Sequence, residues 1–292
     1  MNPERRAWLE LHFAVLCFGF TAILGTWISI SALTLVWWRV AITSLSLILI
    51  MRGLGTLRKL PARRLWQYAG IGVIVSIHWV AFYGAVKWSN ASITLVCMAT
   101  TSLFTAFLEP LIFGRKVQRV EVLLGLLMIP GMMLVVRHIE AGQWAGVLAG
   151  LTAALLAALF STLNKKMISK ASELEVTLLE LSAAFGFISI VLGVFWLAGN
   201  GVQIMPAPTD WVPLIVLSLL CTTLAYVLAL RALRHLSAFA SNLTFNLEPV
   251  YGIILAILLL GEHRELHAGF YVGVALILGA LLLYPWLKRR WV

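Results

Sequence analysis

The chain has 292 residues, of which 61% are hydrophobic and only 12% are charged, and its mean hydropathy is +0.96. A soluble domain carries about 25% charged residues, so this composition excludes an ordinary soluble protein and indicates a chain that lies in a lipid bilayer. The net charge of +10 would suggest a nucleic-acid partner in a soluble protein. Here the cations lie between apolar segments, where they orient a membrane protein against an anionic leaflet, so we predict no nucleic-acid partner.

Ten apolar segments follow one another along the chain, separated by short connections. In chain order they are 8–28, 34–51, 66–86, 91–113, 119–136, 146–163, 176–198, 211–230, 238–260 and 267–286. Each contains roughly 18–23 residues, enough at about 1.5 Å per residue to cross a hydrocarbon core of about 30 Å. The pattern predicts an all-α polytopic membrane protein with ten transmembrane helices.

Lys and Arg lie almost entirely on alternate connections between these segments. Eighteen of the 22 are at the N-terminus, in the even-numbered connections or at the C-terminus. The odd-numbered connections contain Lys87, Arg137 and Arg264, and Arg39 lies inside the second segment. Because cytoplasmic loops attract Lys and Arg, both termini should be cytoplasmic and the number of spans should be even. We therefore expect a multi-pass membrane protein with both termini in the cytoplasm.

The two halves of the sequence resemble each other. The paired stretches are 33–39 with 174–180, 79–87 with 226–234, and 113–115 with 260–262. Each half contains five spans, an odd number, so the second copy must lie upside down relative to the first. Inverted repeats around a midplane site are typical of secondary transporters. We predict two inverted five-helix repeats, residues 1–140 and residues 141–292.

Several of these features are shared with a known family. They are the five-plus-five duplication, Trp38-Arg39 in the second span, Ala85-Val86-Lys87 at the end of the third and Leu260-Gly261-Glu262 at the end of the ninth. In them the chain resembles the drug/metabolite transporter superfamily of the EamA type. Within that superfamily it is most similar to the YddG-type bacterial exporters of aromatic and other hydrophobic amino acids. The resemblance implies export of small metabolites through a central cavity, across the bacterial inner (plasma) membrane. One position departs from the family pattern, since the expected Gly-Glu after the fourth span is Gly114-Arg115 here.

The third segment carries a polar and aromatic group near its middle. His78 lies about thirteen residues from the predicted cytoplasmic start, where a polar side chain is costly unless it faces a partner or a wet cavity. Phe82 shares its helix face because the two are four residues apart, and Trp79 lies beside them. Two interpretations of His78 stay open, a hydrogen bond to a neighbouring helix or the lining of a cavity. No second His or Cys has the spacing of a metal site.

The ninth segment has the richest polar face. Asn242 and Asn246 are four residues apart, and Glu248-Pro249 follows near the middle. An ionised carboxylate at that depth is costly unless it is solvated or paired, so Glu248 is expected either to be protonated or to contact a substrate ammonium group. Pro249 removes a backbone hydrogen bond and should break the helix beside the site. The asparagines either join helices or line the site.

A Leu-Glu-Pro motif occurs twice, but its copies lie at different depths. Pro110 is four residues before Gly114. Pro249, by contrast, is twelve residues before Gly261, so only the second copy is predicted to be central. Together with weaker candidates from other spans, the predicted substrate-binding residues are His78, Trp79, Phe82, Met98, Thr101, Asn164, Tyr226, Asn242, Asn246 and Glu248.

Four charged residues are predicted to form two ion pairs. In the repeat alignment Arg39 corresponds to Glu180, and Glu262 corresponds to Arg115. The predicted topology places Arg39 and Glu262 toward the outer face. It places Glu180 and Arg115 toward the inner face. We predict an outer pair, Arg39–Glu262, and an inner pair, Glu180–Arg115, which either open as gates or hold the scaffold together. The alternative is that each side chain extends to its nearest headgroups.

The sequence has no recognisable Ser–His–Asp set, phosphate-binding loop or metal cluster, so we predict no enzymatic activity and no cofactor. The predicted function is secondary transport, the export of small metabolites by alternating access, with aromatic or hydrophobic amino acids as the expected substrates. The alternatives are export of cationic amphiphilic drugs or nucleoside-like metabolites, and a channel or an accessory membrane protein. The expected partners are a small-molecule substrate and the lipid bilayer, with the protein a monomer or a homodimer.

Overall fold

All the regular structure assigned in this computed structural model is helical. The structure describes residues 2–52, 60–136, 141–199, 201–245 and 247–261, together with 268, 269, 271–276, 279 and 283. The predicted all-α class is confirmed for this part of the chain.

The helices follow in chain order. The first half contains α1 (Pro3–Trp27), α2 (Ala32–Ile50), α3 (Ala62–Trp88), α4 (Ala91–Met98), α5 (Thr101–Phe113) and α6 (Arg119–Val136). The second half contains α7 (Trp144–Met167), α8 (Glu173–Leu197), α9 (Trp211–Ser218), α10 (Ala225–Leu233), α11 (Ala238–Phe245) and α12 (Glu248–Leu255). A π-helical turn, Leu219–Leu224, joins α9 to α10, and a second, Ala256–Leu260, continues α12.

Seven helical stretches of the described residues are long and apolar enough to cross a membrane. They are Pro3–Trp27, Ala32–Ile50, Ala62–Trp88, Ala91–Phe113, Trp144–Lys170, Glu173–Leu197 and Pro208–Leu233, and Val250–Leu260 is a shorter apolar helix. The tenth predicted segment lies in large part outside the described residues. The count of ten spans stays a prediction.

Polar side chains fix several helix starts. Ser31 accepts a hydrogen bond from the Thr34 amide at 3.2 Å at the start of α2. The Asn90 side chain accepts one from the Ile93 amide at 2.8 Å at the start of α4. These side chains satisfy amides that have no partner within the helix. They explain why α2 and α4 begin where they do.

The fourth and ninth predicted spans are each broken into two helices. α4 ends at Met98 and α5 begins at Thr101, whereas α11 ends at Phe245 and α12 begins at Glu248. The second break confirms the effect expected of Pro249, whose missing N–H is tolerated at the start of a helix but not in its interior. A shift of 147 residues in the repeat alignment brings the two breaks together.

Two glycines with left-handed backbone occupy matching places after these broken spans. Gly114 follows α5 with φ of 67°, and Gly261 follows the second π-helical turn with φ of 70°. Glycine adopts this conformation without the steric cost that a Cβ atom imposes. The two positions are those that the repeat alignment of the sequence had paired.

The backbones of helices α3 and α8 are in close contact at Gly72. A Cβ atom placed on Gly72 would lie 2.0 Å from the carbonyl oxygen of Glu180. Backbone cannot yield as a flexible side chain can, so only glycine permits this contact. The close approach brings α8 against the core formed by α1, α3, α7 and α10.

We expect Gly72→Ala to destabilise the protein by about 1–3 kcal/mol, because the helices must separate to admit the methyl group. The apparent melting temperature of the detergent-purified protein measures the effect. Gly70→Ala is the matched control, since Gly70 lies on the same helix with nothing within 4 Å of its Cβ position. Equal melting temperatures of the two variants would contradict the proposed tight contact.

Candidate functional site

A cavity of about 90 Å³ lies between α1, α2, α3, α7 and α10 and the broken helices α4–α5 and α11–α12. Eight of the residues predicted to bind substrate line it: His78, Trp79, Phe82, Met98, Thr101, Asn164, Tyr226 and Glu248. Asn246 lies outside the described residues, and Asn242 lies in α11, where its side chain is not described. The cavity therefore brings together side chains from both halves of the chain.

Aromatic rings form much of the cavity wall. The Tyr226 ring contacts Trp79 edge-on, with ring centres 6.1 Å apart, and it also faces Phe160 at 6.5 Å. His78 continues the wall, with its ring centre 5.2 Å from Phe160 and 6.3 Å from Phe82. Phe160 was not in the predicted set, because nothing in the sequence distinguishes it from other apolar residues of its span. The wall suits a flat or branched apolar group.

His78 both binds a neighbouring helix and lines the cavity. Its Nδ1 lies 2.8 Å from the carbonyl oxygen of Ala153 on α7. The Nδ1 atom must carry the hydrogen to donate to that carbonyl, which leaves Nε2 as the acceptor of a neutral ring. The two interpretations left open by the sequence are therefore both met by one side chain. In the described part of the chain, no group of three His, Cys, Asp or Glu side chains is arranged to hold a metal ion.

Arg39 is a buried cation in the cavity wall. Its exposed fraction is 1%. Its Nε donates to Thr222 at 2.6 Å, one Nη donates to the Tyr83 hydroxyl at 3.0 Å, and its guanidinium carbon lies 3.9 Å from the centre of the Trp79 ring. These contacts compensate for part of the cost of burying the charge. No described ion pair includes Arg39, and its predicted partner Glu262 lies outside the described residues, so the outer pair stays a prediction.

The π-helical turn before α10 positions the partner of Arg39. In this turn the Thr222 hydroxyl donates to the carbonyl oxygen of Leu217, five residues earlier, at 2.6 Å. Its oxygen is then oriented to accept from the guanidinium. Single π turns of this kind are frequent at functional sites. The sequence has no pattern that predicts one here.

Glu248 lines the same cavity as Arg39 and contributes a carboxyl group to it. It is the first residue of α12, where the free amides of a helix favour a negative group. No described ion pair joins it to Arg39. A guanidinium and a carboxyl group therefore face one cavity without a described ion pair between them.

Glu180 lies directly behind the cavity wall and is fully buried. The Tyr226 hydroxyl donates to its Oε2 at 2.6 Å, and the Asn164 amide nitrogen donates to the same oxygen at 3.2 Å. The predicted inner pair is therefore wrong, because Glu180 has buried partners and Arg115 is bound elsewhere.

Arg115 pairs with Glu109, in the first copy of the Leu-Glu-Pro motif. The two side chains lie 3.0 Å apart, and the arginine side chain is about half exposed. The other carboxylate oxygen of Glu109 accepts from the Phe239 amide at 2.7 Å, at the start of α11. Glu109 does not line the central cavity, as the spacing of its motif predicted. Glu109 instead connects α5 to α11 through its hydrogen bond with the Phe239 amide.

Comparison with known proteins places the chain in a family of transporters. The EamA-like transporter family matches the sequence twice, over residues 9–137 and again over 144–285. The chain belongs to the EamA-like transporter family. This EamA protein is therefore a multi-pass membrane transporter of the drug/metabolite type, and members of the family are transporters and generally not enzymes.

Solved structures support the fold of the EamA protein. Twenty-eight chains match it. One of them, titled only as the crystal structure of a protein, is similar over 97% of this chain and 98% of its own, with a TM-score of 0.72 and 15% sequence identity. At that identity the likeness shows the fold alone. No curated protein matches the chain.

Proposed function

We propose that this EamA transporter exports zwitterionic metabolites with an apolar side chain, of the aromatic or other hydrophobic amino-acid class, across the bacterial inner membrane. The proposal rests on one observation. Arg39 and Glu248 line the same aromatic cavity, and no described ion pair joins them. A buried cation and anion that do not meet leave room for a ligand that carries both charges. The ligand then neutralises both protein groups at once.

The contacts assign a role to each side of the cavity. Hydrogen bonds of Arg39 to described residues use Nε and one Nη, which leaves the second Nη to bind a substrate carboxylate. Glu248 binds the ammonium group. The rings of Trp79, Phe160 and Tyr226 contact the apolar side chain of the substrate. Binding thus requires both charges and an apolar group.

The mechanism we propose is alternating access between the two EamA units. We assign them to residues 1–140 and 141–292, inverted relative to each other, with both termini cytoplasmic. The matching helix breaks of the two units support this symmetry, because discontinuous helices near the midplane are typical of transporters with inverted repeats. The cavity extends along α10 to Leu233, its last residue, beside the cation-rich connection with Arg234. This supports access from the cytoplasmic side in the conformation described.

Uptake into proteoliposomes containing the purified protein tests the proposal with three matched probes. Phenylalanine carries both charges, phenethylamine lacks the carboxylate and 3-phenylpropionate lacks the ammonium group. We expect saturable uptake of radiolabelled phenylalanine that unlabelled phenylalanine inhibits at least about tenfold more strongly than either analogue, since each lost charged contact costs about 1.4 kcal/mol or more.

Three results would contradict the proposal. Equal inhibition by phenethylamine and phenylalanine would favour a transporter of cationic amphiphiles. Uptake that rises without saturation would indicate a channel. Vesicles that take up none of the probes would indicate an accessory protein or a different substrate class.

A further inference from the structure

The three side chains Glu180, Tyr226 and Asn164 form a buried cluster that links the cavity to α8. Tyr226 and Asn164 line the cavity, whereas Glu180 lies behind them with no exposed surface. The Tyr226 hydroxyl and the Asn164 amide nitrogen both donate to Glu180 Oε2, and the same nitrogen lies 3.3 Å from the tyrosine oxygen. Any change in the cavity that moves these two side chains therefore changes the environment of the carboxylate.

The hydrogen-bond pattern of the cluster is incomplete. Glu180 Oε1 and Asn164 Oδ1 are buried acceptors without a hydrogen-bond partner. Buried polar atoms are satisfied in nearly all native structures, because each unsatisfied one costs about 1–3 kcal/mol. A hydrogen on Oε1 turns that atom from an acceptor into a donor, so a single proton changes the hydrogen-bonding capacity of the cluster.

Two hydrogen bonds, from Tyr226 and Asn164, are the described compensation for the charge of an ionised Glu180. No described ion pair includes it. The titratable groups that face it are Tyr226 on α10 and Tyr68 on α3, whose hydroxyl donates to the Met167 carbonyl.

The charged groups of the surrounding helices form no described ion pair with Glu180. Arg39 of α2 interacts electrostatically with Tyr226. Arg64 and Arg234 act on Tyr68. On α8 itself, Glu175 binds the Ser172 amide and hydroxyl at the helix start. An isolated negative charge in this position is costly, so the neutral carboxyl is favoured.

We propose that Glu180 carries the proton that this transporter exchanges for its substrate, a step that rests on the proposed function. The conformation described holds Glu180 as the carboxylic acid. When substrate enters the cavity and shifts Tyr226 and Asn164, the two hydrogen bonds that they donate strengthen and favour the carboxylate, and the O–H bond of Glu180 breaks. The proton leaves to water on the cytoplasmic side. After the substrate is released outside, a proton from that side restores the acid.

A proton suits this site better than a metal cation does. Two N–H or O–H donors already point at Glu180 Oε2, and their positive ends would repel a metal ion bound there. A single proton completes the cluster without displacing either donor. Glu248 then has a separate role, because it faces the substrate directly and Glu180 does not.

The test compares two kinds of transport in the same proteoliposomes. Exchange is measured with equal phenylalanine on both sides and label on one, and accumulation is measured with a pH gradient of about one unit and the membrane potential held at zero with valinomycin and potassium. One proton exchanged for one substrate allows accumulation of about tenfold. We expect Glu180→Gln to exchange phenylalanine within about twofold of the unaltered protein while its pH-driven accumulation is lost, because the amide mimics the protonated acid and cannot release a proton.

The outcomes separate this inference from the proposed function. If the unaltered protein exchanges phenylalanine but a pH gradient drives no accumulation, or if Glu180→Gln accumulates normally, the proton role is overturned and the proposed function stands. Accumulation driven by a sodium gradient instead overturns it in favour of a metal cation. Absence of exchange in the unaltered protein overturns both.

Tyr226→Phe keeps the test valid if Glu180→Gln does not fold. Phenylalanine preserves the ring contacts with Trp79 and Phe160 but removes the donor to Glu180. We expect its pH-driven accumulation to fall at least about threefold relative to its own exchange rate. An unchanged ratio overturns the coupling through this hydroxyl.

Discussion

Replacing Arg39 by glutamine is expected to weaken phenylalanine binding at least about thirtyfold, because removing one member of a buried charged contact costs about 2–5 kcal/mol. Glutamine cannot replace the guanidinium, which holds Thr222 and Tyr83 while leaving an Nη atom toward the cavity. Arg39→Lys keeps the charge but loses the planar fork, so we expect an intermediate loss of about tenfold. Equilibrium binding of radiolabelled phenylalanine to the detergent-purified protein measures both.

The binding of phenethylamine separates a lost carboxylate contact from a damaged fold. This probe has no carboxylate, so its affinity should be the same, or higher, in Arg39→Gln. Arg63→Gln is the matched control, since Arg63 is an exposed cation at the start of α3. Parallel losses for both probes in Arg39→Gln would show that Arg39 does not recognise the carboxylate.

The position of Arg39 shows what sequence analysis missed and why. The residue is the one cation inside an apolar segment, and burial of such a charge is itself a sign of function. Its partners, however, come from α3 and from a π-helical turn about 180 residues later in the chain. Neither hydropathy nor helical periodicity encodes those distant contacts, so the sequence predicted neither Thr222 nor Tyr83 as a partner of Arg39.

The ion pair of Arg115 illustrates a second limit. The repeat alignment related Arg115 to Glu262 and, by topology, paired it with Glu180. In the structure it binds Glu109, six residues earlier, across the end of α5. Internal symmetry identifies equivalent positions in the two halves, but it does not determine which side chains meet. The local carboxylate is within reach whatever the tertiary packing.

Helix bounds differ from the hydropathy segments for a simple reason. Hydropathy marks the part of a helix that contacts lipid, whereas backbone hydrogen bonding continues beyond it. α3 begins at Ala62, before the predicted start at Trp66, and includes the polar first turn with Arg63 and Arg64. The break before Glu248 was predictable, because Pro249 has a direct effect on the backbone. The equivalent break after Met98 has no proline, and the sequence did not predict it.

His78 and Glu248 could be predicted to line the cavity because the sequence shows both how far a residue lies from the ends of its apolar segment and whether its side chain is polar. His78 and Glu248 lie near the middle of long apolar segments, where uncompensated polar groups are rare. Both line the cavity. Glu180 is equally buried, but it lies close to the start of its segment, so the sequence indicated a peripheral position. The tilt and mutual offset of the helices decide this difference, and they depend on contacts such as that of Gly72.

Glu248→Gln is expected to shift the preference of the cavity from the zwitterion phenylalanine toward the anion 3-phenylpropionate. Removing the carboxylate should weaken phenylalanine binding about tenfold to hundredfold, because a charge-assisted hydrogen bond to the ammonium group contributes about 1.5–3 kcal/mol. The affinity for 3-phenylpropionate should rise, since that anion binds Arg39 and no longer faces a negative group. Competition of each probe against labelled phenylalanine measures the change in preference.

The chain supplies a close control for this variant in Glu109→Gln. Glu109 lies in the same Leu-Glu-Pro motif, but it binds Arg115 and the Phe239 amide away from the central cavity. Its substitution should leave the affinities for phenylalanine and 3-phenylpropionate unchanged, even if the melting temperature falls. If both glutamine variants alter the preference equally, a long-range effect of net charge is responsible. A change confined to Glu248→Gln means that this carboxylate contacts the ammonium group, because only its copy of the motif reaches the cavity.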